Sequence, residues 1–120
     1  MPGPTSGLLV QVTGQPAIYF TLDGRYHHIV TIEAYHRLFP TGGTFREETS
    51  IPEEYMGPPL GNDADVLKGD GDAAIYFYNN GRRRHIVNWS FMVRAFNGRF
   101  RTVPQAVINN IPTGPAITDA

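Results

Sequence analysis

The sequence predicts an α+β fold made of two tandem, pseudo-symmetric β-hairpin/helix repeats (β-β-β-α) sharing one core. Three observations predict it. The block Gly14–Val30 aligns without gaps on Gly71–Val87, with ten of 17 positions identical, and chance does not produce such self-similarity. Each copy carries a two-residue hairpin signal, Asp23-Gly24 and Asn80-Gly81, the residue types that tolerate the positive φ of a type I′ turn. Each is followed by a helix-capping residue, Thr31 or Asn88, at the point where the strand pattern stops.

The elements follow in order. A first strand spans Leu8–Val12 and, in the second copy, Asp65–Lys68. A second strand spans Ala17–Leu22 and Ala74–Asn79. The return strands are Arg25–Val30 and Arg82–Val87. Helices then run to Phe39 and Phe96 and stop at Pro40 and at Asn97-Gly98, residues that end helices. A short helical turn starts at Pro52 and Pro104, proline being favoured in the first turn. Ile51-Pro52 falls on Val103-Pro104, and Pro59–Gly61 on Pro112–Gly114. One domain, 1–120, is therefore expected, made of repeats at about 8–61 and 62–114. Ala116–Thr118 reads as the start of a third unit, able to pair with an edge strand of this chain or of a neighbour. A hairpin with one helix buries too little to stand alone, which is the reason to expect a shared core.

The turn fixes the register. Leu22 should pair with Arg25, Phe20 with His27, Tyr19 with His28 and Ile18 with Ile29. In the second copy Tyr76 should pair with His85 and Ile75 with Ile86. Side chains alternate along a strand, so Ile18, Phe20, His27 and Ile29 share one face while Tyr19, His28 and Val30 share the other. Each copy thus carries the same Tyr–His pair. It reads as a packing unit that fixes the helix, or as the wall of a pocket where a sugar stacks on an aromatic and bonds nearby donors. Arg25 and Arg82 recur beside the turns, as exposed arginines or as ligand contacts at the hairpin tip. Trp89 reads as a core anchor or as a stacking platform.

Composition excludes several classes. The 120 residues contain no cysteine, which removes disulfides, thiolate metal sites and cysteine nucleophiles together. No apolar run approaches the length of a membrane span. Met1-Pro2-Gly3-Pro4 lacks the basic region and apolar stretch of a secretory leader. The net charge is −1, yet no acid occurs between Ala73 and Thr118, where Arg82, Arg83, Arg84, Arg94, Arg99 and Arg101 fall. That stretch is a candidate for phosphate, sulfate or nucleic-acid contact. A pI near 6.4 argues against the basic footprint of nucleic-acid binders. Catalytic motifs are missing, and Glu47-Glu48 and Glu53-Glu54 read as solvated loop acids. His27 and His28 point to opposite faces, so at most one joins His36. No metal, cofactor or catalytic residue is expected.

The block Ala-Ile-Tyr-Phe-x-x-x-Gly-Arg-x-x-His-Ile-Val, the following helix, the Val/Ile-Pro step and the closing Pro-Thr-Gly resemble tandem repeats of bacterial extracellular and cell-surface proteins. Ile75–Phe77, Asn80–Arg82, His85-Ile86, Val103-Pro104 and Ile111–Gly114 carry it best, while the first copy departs at Gly42-Gly43 and the acidic run to Glu54. Some such repeats accompany cell-wall hydrolases. The resemblance implies an accessory, non-catalytic role outside the cell. The expectation is a lectin-like module binding a glycan or cell-wall polymer, with one site per repeat. Its candidate ligand-binding residues are Tyr19, Arg25, His28, Tyr76, Arg82, His85 and Trp89. The alternatives are self-assembly into a homo-oligomer through end strands, and anionic-polymer binding through the arginine stretch.

Overall fold

A computed structural model describes residues 4–39, 45–96 and 98–118. Pro40, Gly42-Gly43, Asn97 and the last two residues lie outside the described residues. The chain divides into two compact units, Met1–Asn62 and Asp63–Ala120. The first contains β1 (Leu9–Val12), β2 (Ile18–Leu22), β3 (Arg25–His28), α1 (Ile32–Leu38), β4 (Phe45–Glu48) and a 3-10 turn at Glu53–Tyr55. The second contains β5 (Asp65–Gly69), β6 (Ile75–Asn79), β7 (Arg82–His85), α2 (Trp89–Phe96), β8 (Arg101–Val103) and α3 (Gln105–Asn109). The result is mixed α+β, with two similar β-β-β-α units.

Each hairpin turns on two positive-φ residues: Asp23 (57°) with Gly24 (72°), and Asn80 (52°) with Gly81 (76°). The register is the expected one. Tyr19 lies opposite His28, Phe20 opposite His27 and Leu22 opposite Arg25; Tyr76 lies opposite His85. Thr31 caps α1, its hydroxyl accepting from the Ala34 N–H at 3.1 Å. Asn88 does the same for α2 through the Ser90 N–H at 2.8 Å. The short turns begin one residue later than expected, so Pro52 and Pro104 are the caps and stay extended.

Each sheet has a fourth strand that the sequence pattern did not announce. The orders are β3-β2-β1-β4 and β7-β6-β5-β8, with β4 parallel to β1 and β8 parallel to β5. Glu47 and Glu48, expected in a loop, belong to β4. The helix between the return strand and the fourth strand is the crossover that a parallel pair requires.

The helices bury their apolar faces on their own sheets. Phe39, which caps α1, meets Phe20 with ring centroids 5.5 Å apart, and Tyr35 stacks on Phe45 of β4 at 6.0 Å. In the second unit Phe96 stacks on Phe77 at 6.0 Å, and Phe91 is fully buried. There α3 covers the opposite sheet face, where Ile108 joins Leu67 and Val103, with Tyr76, Tyr78 and Ile111 packed against them. Asp65, buried in β5, receives Nε and an Nη of Arg101 on one carboxylate oxygen, both at 2.9 Å. That pair ties β8 to β5.

The return strands end at His28 and His85, two residues early, and their outer edge is occupied. In the first unit the Gly57 N–H donates to the Tyr26 carbonyl at 2.8 Å. The Leu60 N–H donates to His28 at 2.8 Å, and the Val30 N–H to Leu60 at 3.2 Å. Gly114, Ile117 and Val87 repeat these bonds on Arg83, His85 and Ile117. Ala116–Thr118, read from the sequence as a third start, therefore completes the second unit. Ile117 is 2% exposed and paired within its own unit, so it is not an open end strand. The structural equivalence is Gly57-Pro58 with Gly114-Pro115, replacing the Pro59–Gly61 alignment. Hairpin, helix and closing segment all keep the offset of Gly14 to Gly71, whereas the stretch between helix and closing segment, with Pro52 and Pro104, does not.

Side chains clamp this segment. Arg25 donates to the Glu54 carbonyl (3.0 Å), Arg82 to Thr113 (3.3 Å), Arg83 to Ile111 (3.0 Å) and Arg84 to Pro115 (2.6 Å). His27, the counterpart of Arg84, sets Nδ1 2.7 Å from the Pro58 carbonyl oxygen and Nε2 3.1 Å from that of Leu22. Burial, reinforced by the Glu48 carboxylate and opposed by Arg46, raises the Tyr26 hydroxyl above its ordinary pKa of 10.0, so it stays neutral at physiological pH.

A Cβ on Gly57 would lie 2.5 Å from Cε1 of the buried, doubly anchored His27 ring. A Cβ on Gly114 would lie 3.2 Å from Arg84 Cγ, with Arg82 Cβ and the Arg83 carbonyl oxygen in ordinary contact at 3.7 and 3.8 Å. Gly57→Ala is therefore expected to cost about 1–3 kcal/mol, as overpacking does, and Gly114→Ala distinctly less. Urea unfolding midpoints of the two variants check the ordering; equal losses would refute it.

Candidate functional site

The same shallow hollow forms in each unit, where the open end of the hairpin meets the first turn of the helix. In the first unit it measures about 330 Å³ and in the second about 360 Å³, the lower end of the range for ligand sites, roughly 300–1,000 Å³. Every position lining the second hollow has its counterpart, at the hairpin's own offset, in the first. Ile18 and Ile29, or Ile75 and Ile86, form the floor. Ala17, or Ala74, forms one wall. His28 with Val30, or His85 with Val87, forms the other. From the helix come Ile32 and Tyr35 in the first unit, and Trp89 and Met92 in the second.

The local sequence explains this placement. A short alanine at the head of β2 and β6 leaves the space. The Ile29 and Ile86 N–H groups still donate to Ile18 and Ile75, while those of Val30 and Val87 donate to the closing segment, and both valines are exposed. The N-caps start the helices one residue later, so Ile32 and Trp89 become the rims. These rim groups are solvent-facing: Val30 51%, Ile32 55%, Val87 56% and Trp89 58% exposed. The Trp89 indole lies beside Gly98 and Val93, extending the second apolar rim along α2.

The sequence-derived candidates separate into three groups. His28, His85 and Trp89 line the hollows. Trp89 is exposed, which overturns its reading as a core anchor. Tyr19 and Tyr76 stand behind the histidines, with ring centroids 5.4 and 5.5 Å from them and ring planes inclined at 43° and 44°. The tyrosines support the imidazoles without lining the hollows. Tyr76 also packs on the Leu67–Val103–Ile108 cluster and lies under Arg83, whose Cζ is 4.9 Å from the ring centroid. Arg25 and Arg82 hold the closing segments. Sequence reasoning missed Ala17, Val30, Ile32, Ala74 and Val87 as lining residues. Their signal was present, since the alanine and valine of the wall belong to the identical positions of the repeat.

Neither imidazole has a hydrogen-bond partner on its ring nitrogens among the described residues, whereas Thr31 at the first hollow donates to Asn62 at 2.6 Å besides capping α1. The arginines proposed for anion binding are largely engaged within their unit: Arg82, Arg83 and Arg84 with carbonyls, Arg101 with Asp65, and Arg94 over the Phe91 ring at 5.5 Å. Among the described residues no three His, Cys, Asp or Glu side chains cluster as metal ligands. Among the described residues no helix is long and apolar enough to cross a membrane.

Truncating the supporting tyrosine and the lining histidine should have separable effects. Tyr76→Ala opens a packed cluster and should destabilise the protein by about 2–4 kcal/mol. His85→Ala, at an exposed side chain, should stay within about 0.5 kcal/mol of wild type. Chemical denaturation measures both, and a destabilised His85→Ala would place that ring in the core. No protein-family model, curated protein or solved structure matches this chain.

Proposed function

We propose that this protein is a non-catalytic carbohydrate or cell-envelope binding module, acting outside the cell or at its surface, with one site in each repeat. The observation that carries the reading is the recurrence of one hollow, wall for wall, in both units. The duplicated sequence repeats the hollow, and what supports a site is that each copy leaves an apolar rim open to solvent, Val30 and Ile32 in one and Val87 and Trp89 in the other. The chemistry supports a sugar ligand. Pyranose rings present C–H faces that lie against apolar and aromatic groups, and hydroxyls that bond a nearby donor. Trp89 supplies the platform in the second unit, and His28 and His85 supply the donors. Two weak sites in one chain gain avidity on a repeating polymer.

Engagement of the arginines within their own unit favours this reading over an anionic polymer, and pairing of Ile117 favours it over assembly through the chain's end. The test is retention of the labelled protein on neutral glycans, bacterial cell-wall fractions, heparin and single-stranded DNA at low and high salt. Salt-resistant retention on a neutral glycan or wall fraction is the expected result. Trp89→Ala should weaken it roughly 2- to 10-fold, the worth of one aromatic contact, with the unfolding midpoint unchanged. Binding confined to heparin or DNA and lost with salt, or no binding at all, would overturn the proposal.

A further inference from the structure

The walls of the hollows narrow the ligand, and this step rests on the glycan-binding reading above. Ile18, Ile29 and Val30 in one unit, and Ile75, Ile86 and Val87 in the other, supply the aliphatic part of floor and walls. His28 and His85 also line the hollows, their ring nitrogens without a hydrogen-bond partner among the described residues, and the Thr31 hydroxyl at the first hollow is already engaged by Asn62 and Ala34. A hydroxyl laid against these aliphatic groups would give up water there and find no replacement. Unreplaced hydrogen bonds of buried polar groups are costly. What fits is a methyl group joined directly to an amide. The methyl would lie against the valine and isoleucines, and the amide carbonyl would accept from the imidazole N–H. The acetamido substituent of an N-acetylated amino sugar is such a group, carried on a ring whose C–H face can cover Trp89.

We propose that both hollows are acetamido pockets and that the polymer they read is built from N-acetylated amino sugars. A peptide carries the same amide, but the sheet edge beside each hollow is unfavourable for it. An extended peptide joins a sheet by adding a strand at an open edge. That edge of β3 is held by Gly57 and Leu60, and that of β7 by Gly114 and Ile117. The rings and rims stay accessible while the backbone groups a peptide would use are bonded.

The test titrates the full chain with four probes: short N-acetylglucosamine oligomers, their deacetylated counterparts, glucose oligomers of the same linkage, and an N-acetylated peptide of alternating small apolar residues. Amide and indole NMR shifts of His28, Val30, His85, Val87 and Trp89 locate binding, and calorimetry measures it. The N-acetylated sugar should bind about tenfold or more tighter than either other sugar, the equivalent of about 1.4 kcal/mol, with shifts at both hollows. His28→Leu with His85→Leu should weaken it about 3- to 10-fold, as loss of a neutral hydrogen bond does. The corresponding Gln pair, which keeps an amide donor, should recover most of that loss. Equal binding of glucose oligomers at the hollows would overturn the acetamido assignment and leave the glycan reading standing. No saccharide binding would overturn both. Stronger shifts with the peptide would assign the hollows to a protein partner and overturn both as well.

Discussion

Two consecutive positive-φ residues at each hairpin tip set the register on which every later feature of the unit depends. With Asp23-Gly24 or Asn80-Gly81 as the turn, Tyr must face His, phenylalanine must face the helix, and the return strand must present its arginines at the tip end. A slip of one residue would send Phe20 and Phe77 to the face that carries the Tyr–His pairs and break both the aromatic core and the hollow. The identical geometry of the two Tyr–His pairs follows from that single backbone choice.

The second constraint is the outer edge of the return strand. Unpaired strand edges invite association with other chains. Here a segment without regular structure of its own is laid along the edge and clamped by side chains from the strand it protects. The clamp is built with different chemistry in the two units. Arg84 donates from a permanently charged group, while His27 reaches two carbonyl oxygens with a ring that, when neutral, carries a single N–H. The run Arg82–Arg84, which looks like a cationic patch when read as composition, is in large part an internal fastening.

Local features were legible in the sequence and non-local ones were not. Turn type, register, facing residues and helix caps follow from short-range rules, and each was found where expected. The fourth strands escaped because Phe45–Glu48 is mostly charged and Arg101–Val103 is three residues long. Their strand character comes from pairing in parallel with β1 and β5 across some 35 residues of chain, which no propensity encodes. The closing segments were misaligned for a related reason. The second unit is shorter between its helix and Pro104 and longer in α3, so the two copies of Pro-x-Gly resemble each other in sequence while Gly-Pro is the pair that coincides in space. At the site, the histidines and Trp89 were visible as chemistry-bearing types. The valines and alanines that shape the hollow were hidden among residues that usually serve packing alone.

The closing segment also bears on how two nearly identical hairpins avoid exchanging strands during synthesis. Chains are made from the N-terminus, and domains tend to fold as they emerge. Every strand partner of the first sheet, including the Met56 and Leu60 bridges to its return strand, precedes Asp63. The return strand of the first sheet can therefore be covered by its own closing segment before Ile75–His85 leaves the ribosome, so the second hairpin emerges after the strands of the first have found their partners. Order of appearance then guards against the mispairing that a repeated sequence would otherwise encourage.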